Sequence, residues 1–313
     1  MMKKLSALVL ALAFVLSFAA CEEEPRRNRP IKNLTSGEVS VSVDTDEEGS
    51  SDVADSKPEV SVKTELAVKE QVVVDENGIK ITVKGVSLDP ENYAPKADVK
   101  LLVENTTDMT LSFSVKDFSV NNCMVQEYST FKIASGKKSN ESISFYMEDM
   151  EIYGIDVIEN IEFYFHIYDA DTYENYLDTF PIKLENTEAD GSFAFDETGT
   201  VIYEGNGIKM ICKGFEEATE YSGPSLVMYV INNTGKLVSV NAKDTSVNGF
   251  MVDASYYCSL PNGKSAIDRL VLDGDDMAEN GISDIEEIEF YLSVVDKDSW
   301  ETVFNSDIIK LGF

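Results

Sequence analysis

One series of short motifs is written twice along this chain, in the same order and at nearly constant spacing. Asn77-Gly78-Ile79-Lys80 returns as Asn206-Gly207-Ile208-Lys209, and Lys84-Gly85 returns as Lys213-Gly214. Val103 and Asn105 match Val230 and Asn232, Lys116-Asp117 matches Lys243-Asp244, and Ser119-Val120-Asn121 matches Ser246-Val247-Asn248. Gly136-Lys137, Ile161-Glu162-Phe163-Tyr164 and Ile182-Lys183-Leu184 return as Gly263-Lys264, Ile288-Glu289-Phe290-Tyr291 and Ile309-Lys310-Leu311. The first two pairs are 129 positions apart and the later ones 127, so one two-residue gap after Gly85 or Gly214 reconciles them. Register held over a hundred residues implies two copies of one domain, at 70–185 and 200–313, with a linker at 186–199. Each copy is expected to close around its own apolar interior.

Both copies read as β-structure. Ile79, Ile81 and Val83 alternate with Lys80, Thr82 and Lys84; Leu111, Phe113 and Val115 alternate with Ser112, Ser114 and Lys116. Such period-two patterns mark half-buried strands. Asn77-Gly78, Ser135-Gly136, Asn206-Gly207 and Asn262-Gly263 fall between apolar runs, where turns need a left-handed backbone. Residues 147–158 and 273–285 lack the alternation and suit a loop with a short helical turn. About seven short strands per ~110 residues predicts an all-β chain of two tandem antiparallel immunoglobulin-like sandwiches. The antibody pattern of two cysteines flanking a core tryptophan is absent, and the sole tryptophan, Trp300, falls in a late hairpin.

The amino terminus has a different character. Lys3 and Lys4 precede a small, apolar run at 5–20, followed by Cys21. A basic start, a short apolar core and small residues before a cut site describe a secretory signal at 1–20. With cysteine directly after it, the segment resembles a bacterial lipoprotein signal, whose cysteine is acylated; Phe18 stands where leucine is usual. Residues 21–69 are rich in acids, Ser, Thr and Val, and read as a disordered tether. Some 48 residues of such chain reach roughly 40 Å.

The formal charge is −31, with 57 acids against 26 bases, and loss of the signal removes two lysines more. That balance excludes nucleic acid as a partner, because binding it requires a basic surface to neutralise phosphates. Besides Cys21 there are Cys123, Cys212 and Cys258. Cys212 and Cys258 are the one pair within a single half; a bond between them is possible on sequence grounds, and three buried thiols fit an odd remainder better.

A lipoprotein signal, an acidic tether and domains running from N-G-I-K through V-x-N and G-K to I-E-F-Y resemble uncharacterised lipoproteins of Gram-positive bacteria that carry tandem immunoglobulin-like domains of unknown function. The resemblance spans about 72–184 and 201–311. It implies attachment through Cys21 to the outer face of the cytoplasmic membrane and a non-enzymatic role, and it supplies no binding residues.

Candidate chemistry is sparse. His166 is the only histidine, and no nucleophile elbow or paired metal-ligand histidines accompany it. Carboxylate pairs for glycoside hydrolysis lack an aromatic loop to frame them. Asp169 and Asp171, with their repeat partners Asp296 and Asp298, occupy matching turns. Calcium takes six to eight oxygens, so these turns are solvated acids or weak calcium sites that need help from other loops. Asp273-Gly274-Asp275-Asp276 is a further acidic loop, and residues 44–49 approach an EF-hand spacing without its later ligands. No other cofactor is expected. Tyr173 and Trp300 follow the matching turns and could stack on a sugar, anchor a protein partner, or clip each hairpin to its own sheet. Tyr221, Tyr256 and Tyr257 add aromatic surface. The sequence therefore describes a membrane-anchored, non-catalytic binding or structural module for a cell-surface protein or glycan. A solute-, glycan- or calcium-binding lipoprotein is the alternative, and a surface hydrolase a more distant one.

Overall fold

A computed structural model describes residues 65–89, 94–127 and 129–313. The signal segment, Cys21, the tether up to residue 64 and the acidic run at 44–49 lie outside the described residues.

The chain is all-β and sandwich-like. In the first repeat Gln71–Glu76, Ile79–Asp89, Lys96–Asn105 and Lys137–Tyr146 form one antiparallel sheet. Facing it are Leu111–Val120, Asn160–Asp169 and the shorter Thr130–Ile133, Asn175–Asp178 and Ile182–Glu185. Period-two alternation turns Ile79, Ile81, Leu101, Val103, Ile143 and Phe145 inward against Phe113, Phe163, Phe165 and Ile167, all at most 1% exposed. Each such side chain contributes about 1.5–3 kcal/mol by leaving water.

The second repeat repeats this plan. Thr200–Gly205, Ile208–Glu216, Ser225–Asn232 and Lys264–Leu272 face Val238–Val247 and Glu287–Asp296. Among the described residues the first copy contains ten strands and the second eleven, more than the seven expected, because bulges and two-residue pairings divide the edges into short pieces. Short helices do occur where alternation fails, at Met147–Glu151 and Gly274–Glu279.

The repeated motifs are the pieces that bend and stop strands. Asn77 and Gly78 both have positive φ, 49° and 76°, and so do Asn206 and Gly207, at 49° and 80°. This is the backbone a two-residue hairpin with the strands' own twist requires. The register slips at Lys84-Gly85 and at Lys213-Gly214, so each pair forms a bulge. It slips again at Lys116-Asp117 and Lys243-Asp244, where Asp117 and Asp244 have φ of 51° and 52°. The two-residue gap lies in the following hairpin, whose arms are two residues longer each in the first copy: Ile79–Asp89 and Lys96–Asn105 against Ile208–Glu216 and Ser225–Asn232.

Buried Asn105 and Asn232 work identically. Asn105 Nδ2 donates to the carbonyls of Met109 and Ile133, and its Oδ1 accepts from Thr107. Asn232 binds Lys236, Leu260 and Thr234 in the same way. One side chain thus satisfies two loops at once, which accounts for an amide in a core position.

Two expectations need correction. Within the span read as tether, Glu65–Leu66 is already a strand, paired with Ser87 and Val86. The halves also do not close independently. The apolar cluster of the first repeat takes in Ile211 and Tyr229 of the second, with Phe193 and Phe195 of the linker packed against it. Phe195 stacks on Tyr229 at 3.6 Å between ring centres. Cys123 pairs in parallel with Ser265, which joins a sheet of each repeat into one continuous sheet.

Candidate functional site

The matching hairpin tips are the most distinctive surface feature. In the first, Asp169 N–H donates to the Glu174 carbonyl at 3.0 Å and Tyr173 N–H donates to the Asp169 carbonyl at 2.9 Å. In the second, Asp296 and Glu301, and Trp300 and Asp296, make the same bonds at 2.9 and 2.8 Å. This closure forces the last turn residue into the left-handed region: φ is 62° at Tyr173 and 60° at Trp300. Glycine or asparagine normally takes that place, since a Cβ there costs about 1–2 kcal/mol. Both aromatic side chains are nevertheless 74% exposed.

The preceding aspartates hold the turns. Asp169 Oδ1 accepts the amides of Asp171 and Thr172 at 2.7 and 3.0 Å. The amide of Thr172, then that of Asp171, hold its carboxyl below the usual range. Asp296 Oδ1 accepts from Asp298 and Ser299, while its Oδ2 accepts from Lys236 Nζ at 2.6 Å. The Lys236 ammonium and the Asp298 amide bring Asp296 down to about 2. Asp171 and Asp298 are exposed beside them. Asp273 caps the Gly274–Glu279 helix through the amides of Asp275 and Asp276. Among the described residues no cluster of three or more His, Cys, Asp or Glu is grouped as a metal ion would need.

Tyr173 does not stand alone. Its ring lies 6.1 Å from Tyr168 at an interplanar angle of 20°, and Tyr168 lies 5.5 Å from His166. The three rings make a short row on the outer face of Asn160–Asp169. His166 Nδ1 is 2.6 Å from Asp178 Oδ1, and Asn175 Nδ2 holds the other oxygen of Asp178 at 2.9 Å. In the second repeat Ser293 and Val295 replace His166 and Tyr168, so the row belongs to one copy only.

Other candidates are placed as follows. Tyr221 and Tyr257 are exposed, with Lys297 Nζ 5.7 Å from the Tyr257 ring centre. Tyr256 does not belong to the surface: it is 6% exposed, because alternation along 254–260 turns it inward. Cys123, Cys212 and Cys258 are free and buried, and Cys212 is not bonded to Cys258. Burial raises all three thiols, Cys258 to about 12, which suppresses the reactive thiolate. An open groove of about 230 Å³ lies between Gln71–Glu76 and residues 179–183, with Phe180 exposed beside it.

Sequence reasoning missed the contacts between repeats. Tyr153 Oη donates to the Met124 carbonyl at 2.8 Å and accepts the Ile267 amide at 2.9 Å. Lys264, only 7% exposed, pairs with Glu162 at 2.9 Å and donates to Asn122 Oδ1.

No family model matches this chain, and no curated protein does. Among solved structures, the YadV chaperone is 11% identical, covering 75% of this chain and 100% of its own, with a TM-score of 0.23. A protein of unknown function from Porphyromonas gingivalis W83 is also 11% identical, covering 76% of this chain and 100% of its own at 0.21. The Salmonella enterica SafA pilin in complex with the SafB chaperone is 12% identical, covering 69% of this chain and 89% of its own at 0.19. Likeness this slight carries nothing about ligand or partner to this chain. No helix among the described residues is long and apolar enough to cross a membrane.

Proposed function

We propose that this chain is a non-catalytic binding module, held at the outer face of the cytoplasmic membrane by an acylated Cys21 and raised from it by the acidic tether. Its binding elements are the two hairpin tips, which present Tyr173 and Trp300 to a cell-surface glycan or protein. The carrying observation is that both copies place a large aromatic, 74% exposed, at a left-handed position that stability alone would give to glycine. Strain kept at Trp300 with no ring contact among the described residues, and at Tyr173 with only Tyr168 stacked beside it, points to use of the side chains. Flat rings at a rigid tip suit stacking on sugar faces or anchoring in a protein pocket.

The test is co-sedimentation of the purified chain with isolated cell walls and, separately, with membranes bearing surface proteins. Tyr173→Gly and Trp300→Gly relieve the backbone strain, so each keeps or raises the melting temperature while retention falls. Retention equal to wild type in both variants overturns the reading. Mass spectrometry of the mature amino terminus checks the anchor: a diacylated Cys21 is expected, and a free end elsewhere removes it.

A further inference from the structure

We infer that this chain associates head to tail with further copies of itself, by using a second time the contact that joins its own two halves. That contact has two sides. The first repeat supplies the turn after Leu111–Val120, where the Asn122 carbonyl accepts the Ser265 amide at 2.9 Å and Cys123 is 2% exposed. The second repeat supplies the edge of Lys264–Leu272, on which Lys264 is 7% exposed and bound to Glu162.

Each side has a twin that stands uncovered among the described residues. The twin of Cys123-Met124 is Phe250-Met251, apolar residues that stand 49% and 64% exposed. The twin of Lys264-Ser265 is Lys137-Lys138, both exposed on Lys137–Tyr146, which is the outermost strand of its sheet. Pairing with Lys96–Asn105 follows the same register as in the second repeat: Lys138 faces Glu104 as Ser265 faces Ile231. The Lys138 amide therefore lies on the open side of its strand, as the Ser265 amide would without Asn122. Glu162 has its twin in Glu289, beside Glu287.

Charge favours the same pairing. On a chain of −31, Lys132, Lys137 and Lys138 cluster at one end and form no ion pairs among the described residues. Glu286, Glu287 and Glu289 lie at the other end, one strand away from Phe250, with Lys310 as the one cation paired to Glu287 and Glu289 among the described residues. A heterologous contact of this kind leaves one side free on each end copy, so successive copies extend a row. The row's contact is narrower than the internal one. Where the second repeat offers Ile211, Tyr229, Ile231 and Ile267, the first offers Thr82, Leu102, Glu104 and Asn140, and the linker aromatics have no counterpart across copies. Association is thus reversible and salt-sensitive.

Sedimentation velocity of the full chain in mild detergent, from about 1 µM to about 100 µM, tests this. Species larger than one chain are expected to grow with concentration and shrink with added salt. Phe250→Asp with Met251→Asp, and separately Lys137→Glu with Lys138→Glu, should each weaken association about tenfold or more without lowering the melting temperature. In a mixture of Phe250→Cys and Lys138→Cys chains, oxidation should link position 250 to position 138, as Cys123 lies opposite Ser265. A monomer throughout, association indifferent to both double variants, or links only between two copies of position 250 overturns the inference.

Discussion

The phenol of Tyr153 in the first repeat receives the amide hydrogen of Ile267 in the second at 2.9 Å, while its own hydrogen goes to the Met124 carbonyl at 2.8 Å. One hydroxyl thereby closes two backbone groups on opposite sides of the boundary between repeats. Burial pushes this phenol well up, so it remains a donor at any physiological pH.

Tyr153→Phe should keep the ring and remove both bonds. Leaving a buried amide and carbonyl unpaired costs about 1–3 kcal/mol. Chemical denaturation should show a lower midpoint, and amide exchange at Ile267 should quicken first. An unchanged exchange rate there would show that the hydroxyl does not hold the boundary.

Asn105→Ala and Asn232→Ala should be equally harmful, by about 2–4 kcal/mol each, since every substitution frees two loop carbonyls and a turn amide. Thermal melting of the two single variants measures this. A large effect in one copy and none in the other would contradict the equivalence of their bonds.

Gly207→Ala should be worse than Gly136→Ala. A Cβ at Gly207 would sit 2.8 Å from the Asn233 carbonyl oxygen, whereas at Gly136 nothing lies within 4 Å. Gly136→Ala thus costs the left-handed strain of about 1–2 kcal/mol, and Gly207→Ala adds displacement of backbone. Comparison of urea midpoints distinguishes them, and equal losses would refute the steric account.

Asp296 gives the acid limb of stability a definite sign. Its carboxyl sits at about 2 in the fold against an ordinary 3.8, so its contribution is complete above 3.8 and disappears as pH falls toward about 2. Asp296→Asn should be less stable than wild type at pH 7 and should lose less on acidification through that window. Parallel stability curves for the two proteins would exclude the Lys236 pairing as its source.

Much of the fold was legible because strand alternation and the duplicated motifs reinforce one another. Ile161, Phe163, Phe165 and Ile167 point inward as their spacing requires, and the motif residues prove to be turns, bulges and loop ties. The boundary between repeats was not read, although it left a trace. Residues 226–231 are apolar without a break, whereas the matching stretch in the first copy contains Lys100 and Glu104. An unbroken run means a strand covered on both faces, and Tyr229 and Ile231 are covered by the first repeat and the linker. Tyr173 and Trp300 could be located from the repeat, but not their strained backbone: nothing in an aromatic residue announces a left-handed position. The turn aspartates read as spare ligands because composition cannot reveal that local amides already engage Asp169 and Asp296.

The outward faces of Ile211, Tyr229, Ile231 and Ile267 make the duplicated halves unequal heirs. The first half carries a polar residue at three of the four corresponding sites, Leu102 being the exception; the second, cut loose, would lay bare a greasy flank and clump. Shuffling, shortening or recombining this gene therefore has a preferred direction: loss from the carboxyl end uncovers Cys123 and Tyr153, and loss from the amino end uncovers far more.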